Sequence, residues 1–162
     1  MTLAAPIALV DPWVYIRQAF TRLLRSNLVL EGQLPGGWSE GVAPKDTDFP
    51  RGIYQLHYSP GEYDWSGWVT VSGIDVGVFS KTQGEAASLD QLVFATLQDA
   101  RLDLEGGLTS LVCRRVSTYS LVDAAPDGTD TVFQQGGIYS VQVAQSNPVN
   151  RTLAVTLTST IG

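Results

Sequence analysis

Residues able to do chemistry are few in this sequence. It has one histidine, His57, and one cysteine, Cys113. A metal site needs His, Cys or carboxylates clustered at ligand spacing, and neither residue has such neighbours. Cys113 is followed by Arg114 and Arg115. Nearby cations lower a thiol's pKa, as a nucleophilic cysteine requires. In a strand, however, Arg114 points to the opposite face from Cys113, and cysteine is commonly buried. The expectation is a packed thiol and a structural strand histidine. Glycines occur at 32, 36–37, 106–107 and 136–137, but none builds a phosphate loop between a strand and a helix. A nucleophile elbow is also missing. Any two of the 16 acidic residues could still meet in space. A small hydrolase or ligand-binding domain built from scattered residues therefore stands as a rival reading.

The composition points away from several other classes. At 162 residues the chain is most simply one domain, large enough to bury a core without staples. The content is 44% apolar and 16% charged, which suits a folded protein. Four tryptophans with so little charge leave room for surfaces that bury against other subunits. A net charge of −6 argues against gripping nucleic acid through its phosphates. It suits ordinary solubility, and equally a protein that surrounds DNA without holding it. A lone cysteine gives no intrachain disulfide. The apolar start, residues 1–10, lacks a basic leader and is too short to span a bilayer, so no signal peptide or membrane anchor is expected. Asn150-Arg-Thr matches a glycosylation acceptor by chance in that setting.

The elements that must position any site are clearer. Asp11-Pro12 reads as an N-cap and first helical residue. Trp13, Ile16, Phe20, Leu23 and Leu24 then mark the apolar face of a helix ending near Asn27. Residues 28–50 read as a long Gly- and Pro-rich connection, in which Trp38 is offered either to a partner or back to its own domain. Tyr54, Leu56 and Tyr58 alternate against Ile53, Gln55 and His57 in a strand. Pro60-Gly61 leads into a first hairpin whose tip lies near Tyr63. Residues 65–79, beginning at Trp65, form a central strand. Ala86, Leu89, Val93, Leu97 and Ala100 place the next helix face. Residues 111–122 and 131–144 then form a long hairpin joined by Ala125-Pro-Asp-Gly-Thr-Asp, with a bulge expected at Gly136-Gly137. Strands this long predict a hairpin projecting beyond the sheet. After Asn147-Pro148, Leu153, Val155 and Leu157 alternate with threonine and alanine in a last strand. It could complete its own sheet or add to a neighbour's. The fold class is α+β: a mostly antiparallel or mixed sheet, an N-terminal helix, a second helix packed on it, and a projecting hairpin. Residues 1–148 make the domain and 149–162 an extension.

Taken in order, these pieces resemble the tail terminator, or tail completion, proteins of long-tailed phages. The likeness covers residues 10–145 and rests on the order of elements: the N-terminal helix, the strand near Phe49-Pro-Arg-Gly-Ile-Tyr, the central strand from Trp68, the helix from Gly84, and the return arm Gly137-Ile-Tyr-Ser-Val-Gln-Val. The resemblance implies a homohexameric ring capping the tail tube at the tail–neck junction of the virion, assembled in the host cytoplasm. Its implied partners are the tail tube protein and the head–tail connector, with DNA passing through the lumen unbound. No catalytic residue, cofactor, metal or membrane is implied. Ring closure joins two different patches of each subunit. The expected suppliers are Trp38 in its loop, Tyr63 and Trp65 at the first hairpin, Asp123, Pro126, Asp127, Gly128 and Asp130 at the second, and Leu153, Val155 and Leu157 in the last strand. A neighbouring neck or head-closure protein is the alternative.

Overall fold

The computed structural model describes residues 12–57, 62–63, 67–105, 107–124 and 130–146, with side chains for all of these except 12, 62–63, 67–72 and 145–146. The elements are α1 (Pro12–Ser26), α2 (Leu28–Gly32), β1 (Trp38–Glu40), β2 (Arg51–His57), β3 (Glu62–Tyr63), β4 (Gly67–Ser80), α3 (Gln83–Leu97), β5 (Leu108–Ser110), β6 (Arg114–Ala124) and β7 (Thr131–Ser146). They form one seven-stranded sheet in the order β1-β2-β4-β7-β5, with β3 also beside β4 and β6 also beside β7. β1 and β2 run parallel and every other pair is antiparallel, so the sheet is mixed and the class is α+β.

Alternation decides which face is covered. Ile74, Val76 and Val78 of β4 and Tyr139, Val141 and Val143 of β7 are buried beneath the helices. α1 contributes Ile16, Phe20 and Leu24 to the same core, and α3 contributes Leu89, Val93 and Leu97. Each of these large side chains stabilises the fold by about 1.5–3 kcal/mol through burial. Gly73, Asp75, Gly77 and Phe79 point the other way, toward a face that no described helix covers.

Residues 28–50 are more ordered than their composition suggests. The Asn27 side chain accepts hydrogen bonds from the Val29 and Leu30 amides, both at 3.1 Å, and caps α2. Its amide group donates to Thr96 on α3 at 2.8 Å. Trp38 is 8% exposed and lies over Gly52, where a Cβ would come within 2.3 Å of its ring. Trp38 thus packs into the core of its own chain, one of the two placements its sequence context allowed. A five-residue helix and a three-residue strand are too short to show a period, so the sequence reads there as a loop.

Other differences concern where elements stop. α3 ends at Leu97 rather than carrying its apolar face to Ala100, because Asp99 takes a left-handed φ of 59° and turns the chain. The Ala100 carbonyl then accepts from the Cys113 amide at 2.7 Å, and the Asp99 amide donates to the Cys113 carbonyl at 2.8 Å. This crossing, with a bridge between Arg101 and Val112, separates β5 from β6, so the expected outgoing strand of 111–122 begins only at Arg114. The bulge falls in β6, between Arg115 and Ser117, and not at Gly136-Gly137 of the return arm. β4 flanks β7 as far as Phe133, so the described part of the β6–β7 pair lies mostly inside the sheet instead of projecting from it.

The glycines of β7 mark close approaches. A Cβ on Gly136 would stand 2.3 Å from the Val76 carbonyl oxygen, which is fixed in the ladder. Gly136→Ala should therefore lower unfolding stability by about 1–3 kcal/mol in denaturant titrations, the range for overpacking.

Candidate assembly surface

β6 forms the outer part of the sheet, and two polar side chains fasten it. Arg115 reaches under the sheet to Asp90 of α3, donating from Nη1 to Oδ2 at 2.9 Å and from Nη2 to Oδ1. The side chains are 9% and 3% exposed. Arg115 passes over the backbone of Gly137, where a Cβ would lie 2.7 Å from Nε. Its guanidinium also faces the rings of Tyr139 and Phe94, with centroids 5.0 and 5.2 Å away. Burial works against the guanidinium's charge, but the hydrogen bonds and field of Asp90 outweigh it and hold the group more firmly charged than usual.

On the uncovered face Tyr119 lies across a glycine pair. A Cβ on Gly77 or Gly136 would come within 2.9 or 2.8 Å of its hydroxyl. That hydroxyl donates to Asp75 at 2.5 Å and accepts from Gln134 at 3.3 Å. Burial first, then the hydrogen bond to Asp75, push the phenol's pKa well above its ordinary range. Both fasteners cross strands, so they hold β6 to β7 and to the helix layer together. Glycines 77, 136 and 137 were the available signal, since glycine inside a strand marks a close approach. Asp75 and Asp90 carried no signal of their own.

Between and beyond these fasteners β6 is exposed. Val116, Leu121 and Val122 are 63%, 55% and 60% exposed. Asp123 is exposed near the end of β6, opposite Val132. Asp130 is exposed and pairs with Lys81. Lys81 and Arg51 both stand over the Phe49 ring, 4.6 and 4.4 Å from its centroid. The structure thus brings Asp123 and Asp130 to one end of the sheet. Tyr63 lies in β3, opposite Trp68, well away from them along β4. Trp65, Pro126, Asp127, Gly128, Leu153, Val155 and Leu157 fall outside the described residues.

The reactive candidates are placed apart. His57 is exposed at the end of β2, opposite Gly73. Cys113 is fully buried, and burial, with Asp99 adding to it, pushes its thiol up to about 12. That is the opposite of what a nucleophile needs. A depression of about 470 Å³ lies along α1 between Arg17, Thr21, Arg22, Glu40 and Tyr54. Its carboxylate, Glu40, is tied to Arg17 at 2.7 Å. No group of three potential metal ligands occurs among the described residues, and no described helix is long and apolar enough to cross a membrane.

Comparison with known proteins supplies a fold. No family model matches the chain. No curated protein matches it either. Among solved structures, it is similar to a chain from the virion of a native gene transfer agent particle. The TM-score is 0.61 at 13% identity, covering 84% of this chain and 99% of that one. The two chains share their fold over nearly all of the virion protein's length.

Two measurements test this account of the site. Asp90→Ala leaves the Arg115 charge buried and unpaired, and should cost about 3–5 kcal/mol in chemical unfolding. The Cys113 thiol ionises at about 12 when folded, against an ordinary 9.0. Its contribution to stability is therefore complete below pH 9 and is lost as pH rises toward 12, because the unfolded chain gives up the proton first. The fall in stability above pH 9 should be shallower in Cys113→Ala than in the wild type.

Proposed function

We propose that this chain is a structural virion protein that forms a ring on the head-proximal end of a phage tail. The ring stops tube growth and joins the tail to the head connector. The observation that carries this reading is the shared fold with a chain of a gene transfer agent virion, extending over 99% of that chain. Three features of the chain support it. The only cysteine is buried as a packing residue and the only histidine lies alone on a strand. The outer strand of the sheet presents exposed apolar side chains. The net charge of −6 suits a conduit through which DNA slides without being held.

Closing a ring requires two unlike patches on each subunit. The sheet provides unlike sides, with β1 at one edge and β5 and β6 at the other. The ring is a hexamer in this reading, of about 105 kDa from six chains of 17.5 kDa. Native mass spectrometry of the purified protein should find that species. Phage made without the chain should carry abnormally long tails by electron microscopy. Tails of normal length beside leaking heads would move the protein to head closure instead, and a monomer at every concentration would overturn the ring.

A further inference from the structure

The edge of the sheet formed by β5 and β6 gathers positive charge in a chain that is acidic overall. Arg101 and Arg114 line one depression of about 380 Å³ there, together with Leu111, Val112 and Val116. No carboxylate lines it. Two guanidiniums facing one space repel each other, and the described subunit does not cancel both. Arg101 makes no ion pair among the described residues. Arg114 meets Asp99 at 3.5 Å, but the two side chains are 67% and 64% exposed, and such surface pairs contribute little. Leu111 and Val116 are exposed as well. The depression therefore offers apolar contact framed by positive charge. Its complement is an exposed apolar side chain accompanied by carboxylates.

The same chain carries that complement at its other edge. β1 ends at Glu40, and residues 41–50 lead back to the start of β2. In this stretch Val42 is 84% exposed, more than any other large apolar side chain among the described residues. Asp46 and Asp48 follow it, exposed and without an ion pair among the described residues. The remaining described carboxylates are engaged or wrongly placed. Glu40, Asp90, Asp99 and Asp130 each have an arginine or lysine partner. Asp75 accepts from Tyr119 and Glu85 from Ser80. Asp103 and Glu105 lie just before β5, Asp123 lies on β6, and Glu31 is half-buried on α2. Both patches open on the uncovered side of the sheet. Ser140 and Gln142 of that face share the depression, and Gly41 lines a hollow there with Ile53 and Asp75. Within one copy β1 and β5 are four strand spacings apart, about 19 Å, and no residue of the 41–50 stretch lines the depression. The two patches can meet only between copies.

We infer that residues 42–48 of one copy seat in the depression between Arg101 and Val116 of the next copy. Val42 packs against Leu111 and Val116, while Asp46 and Asp48 face Arg101 and Arg114. The occupant is a second copy of this chain. Lys45 lies in the same stretch and is exposed, so the apolar contact and the two carboxylates carry the fit, not the net charge of the loop. The contact is heterologous, one edge giving and the other receiving, which is the kind that closes rings. The inference rests on the ring reading and names one of its contacts.

Charge exchange between copies tests it. One full-length variant carries Arg101→Glu with Arg114→Glu, and a second carries Asp46→Lys with Asp48→Lys. All four side chains are exposed, so each subunit should melt close to the wild type. Where a double reversal fails to fold, Arg114→Glu and Asp48→Lys alone repeat the test. Each variant by itself brings like charges together at every contact. It should need a roughly tenfold or higher concentration to form rings in native mass spectrometry. An equimolar mixture should restore assembly to near the wild-type concentration, as rings in which the two variants alternate. Every acidic depression then meets a lysine loop, and every arginine depression an aspartate loop. A hexamer admits this alternation. Variants that assemble singly like the wild type would overturn the contact and leave the ring reading intact. Impaired variants that mixing does not rescue would also overturn it, and would assign the depression to another protein. A wild-type chain that never assembles would overturn both.

Discussion

The ladder between β4 and β7 runs without a break from Gly67 beside Ser146 to Ser80 beside Phe133. Strands this long exceed the usual five or six residues, and each supports neighbours along its length. β2 and β3 pair with β4, and β5 and β6 pair with β7. The side-chain period of two in this ladder assigns Ile74, Val76, Val78, Tyr139 and Val141 to the face that α1 and α3 cover. A slip of one residue would turn that set outward, so one register fixes the strand order, the core and the face left bare.

Glycines let the ladder carry more than its own pairing. Gly52, Gly77, Gly136 and Gly137 each leave space that a large side chain from another strand fills: Trp38, Tyr119 or Arg115. The consequence is a sheet cross-tied on both faces. The Arg115–Asp90 pair is bidentate and almost dry. A buried pair contributes little net stability against an apolar replacement, but breaking one half is costly. It sets the position of β6 relative to α3. Tyr119 does the same on the other face through Asp75.

These ties account for the surface that β6 exposes. They hold β6 at the outside of the sheet with its apolar side chains in solvent and its outward edge open. The bare face carries Phe79 and Ile138 beside Gly73, Gly77, Gln134, Gln142 and the Tyr119–Asp75 pair. The fold is shared with a chain of a gene transfer agent virion.

The sequence by itself determined the elements with a long enough period. The face of α1, the alternation of β2, the central strand and the helix from Gly84 were legible because apolar residues recur there over two turns or more, or over several strand pairs. The poverty of reactive groups was equally legible, from one His57 and one Cys113. Only tertiary structure decided the rest. Trp38 turned inward because Gly52, distant in sequence, leaves room for its ring. β5 parted from β6 because Asp99 reverses the chain and residues 99–101 pair with Val112 and Cys113. Asp90 became the anchor of β6 because α3 carries it beneath Arg115, twenty-five residues away. Each depends on a meeting of residues far apart in the chain, which no local period or spacing encodes.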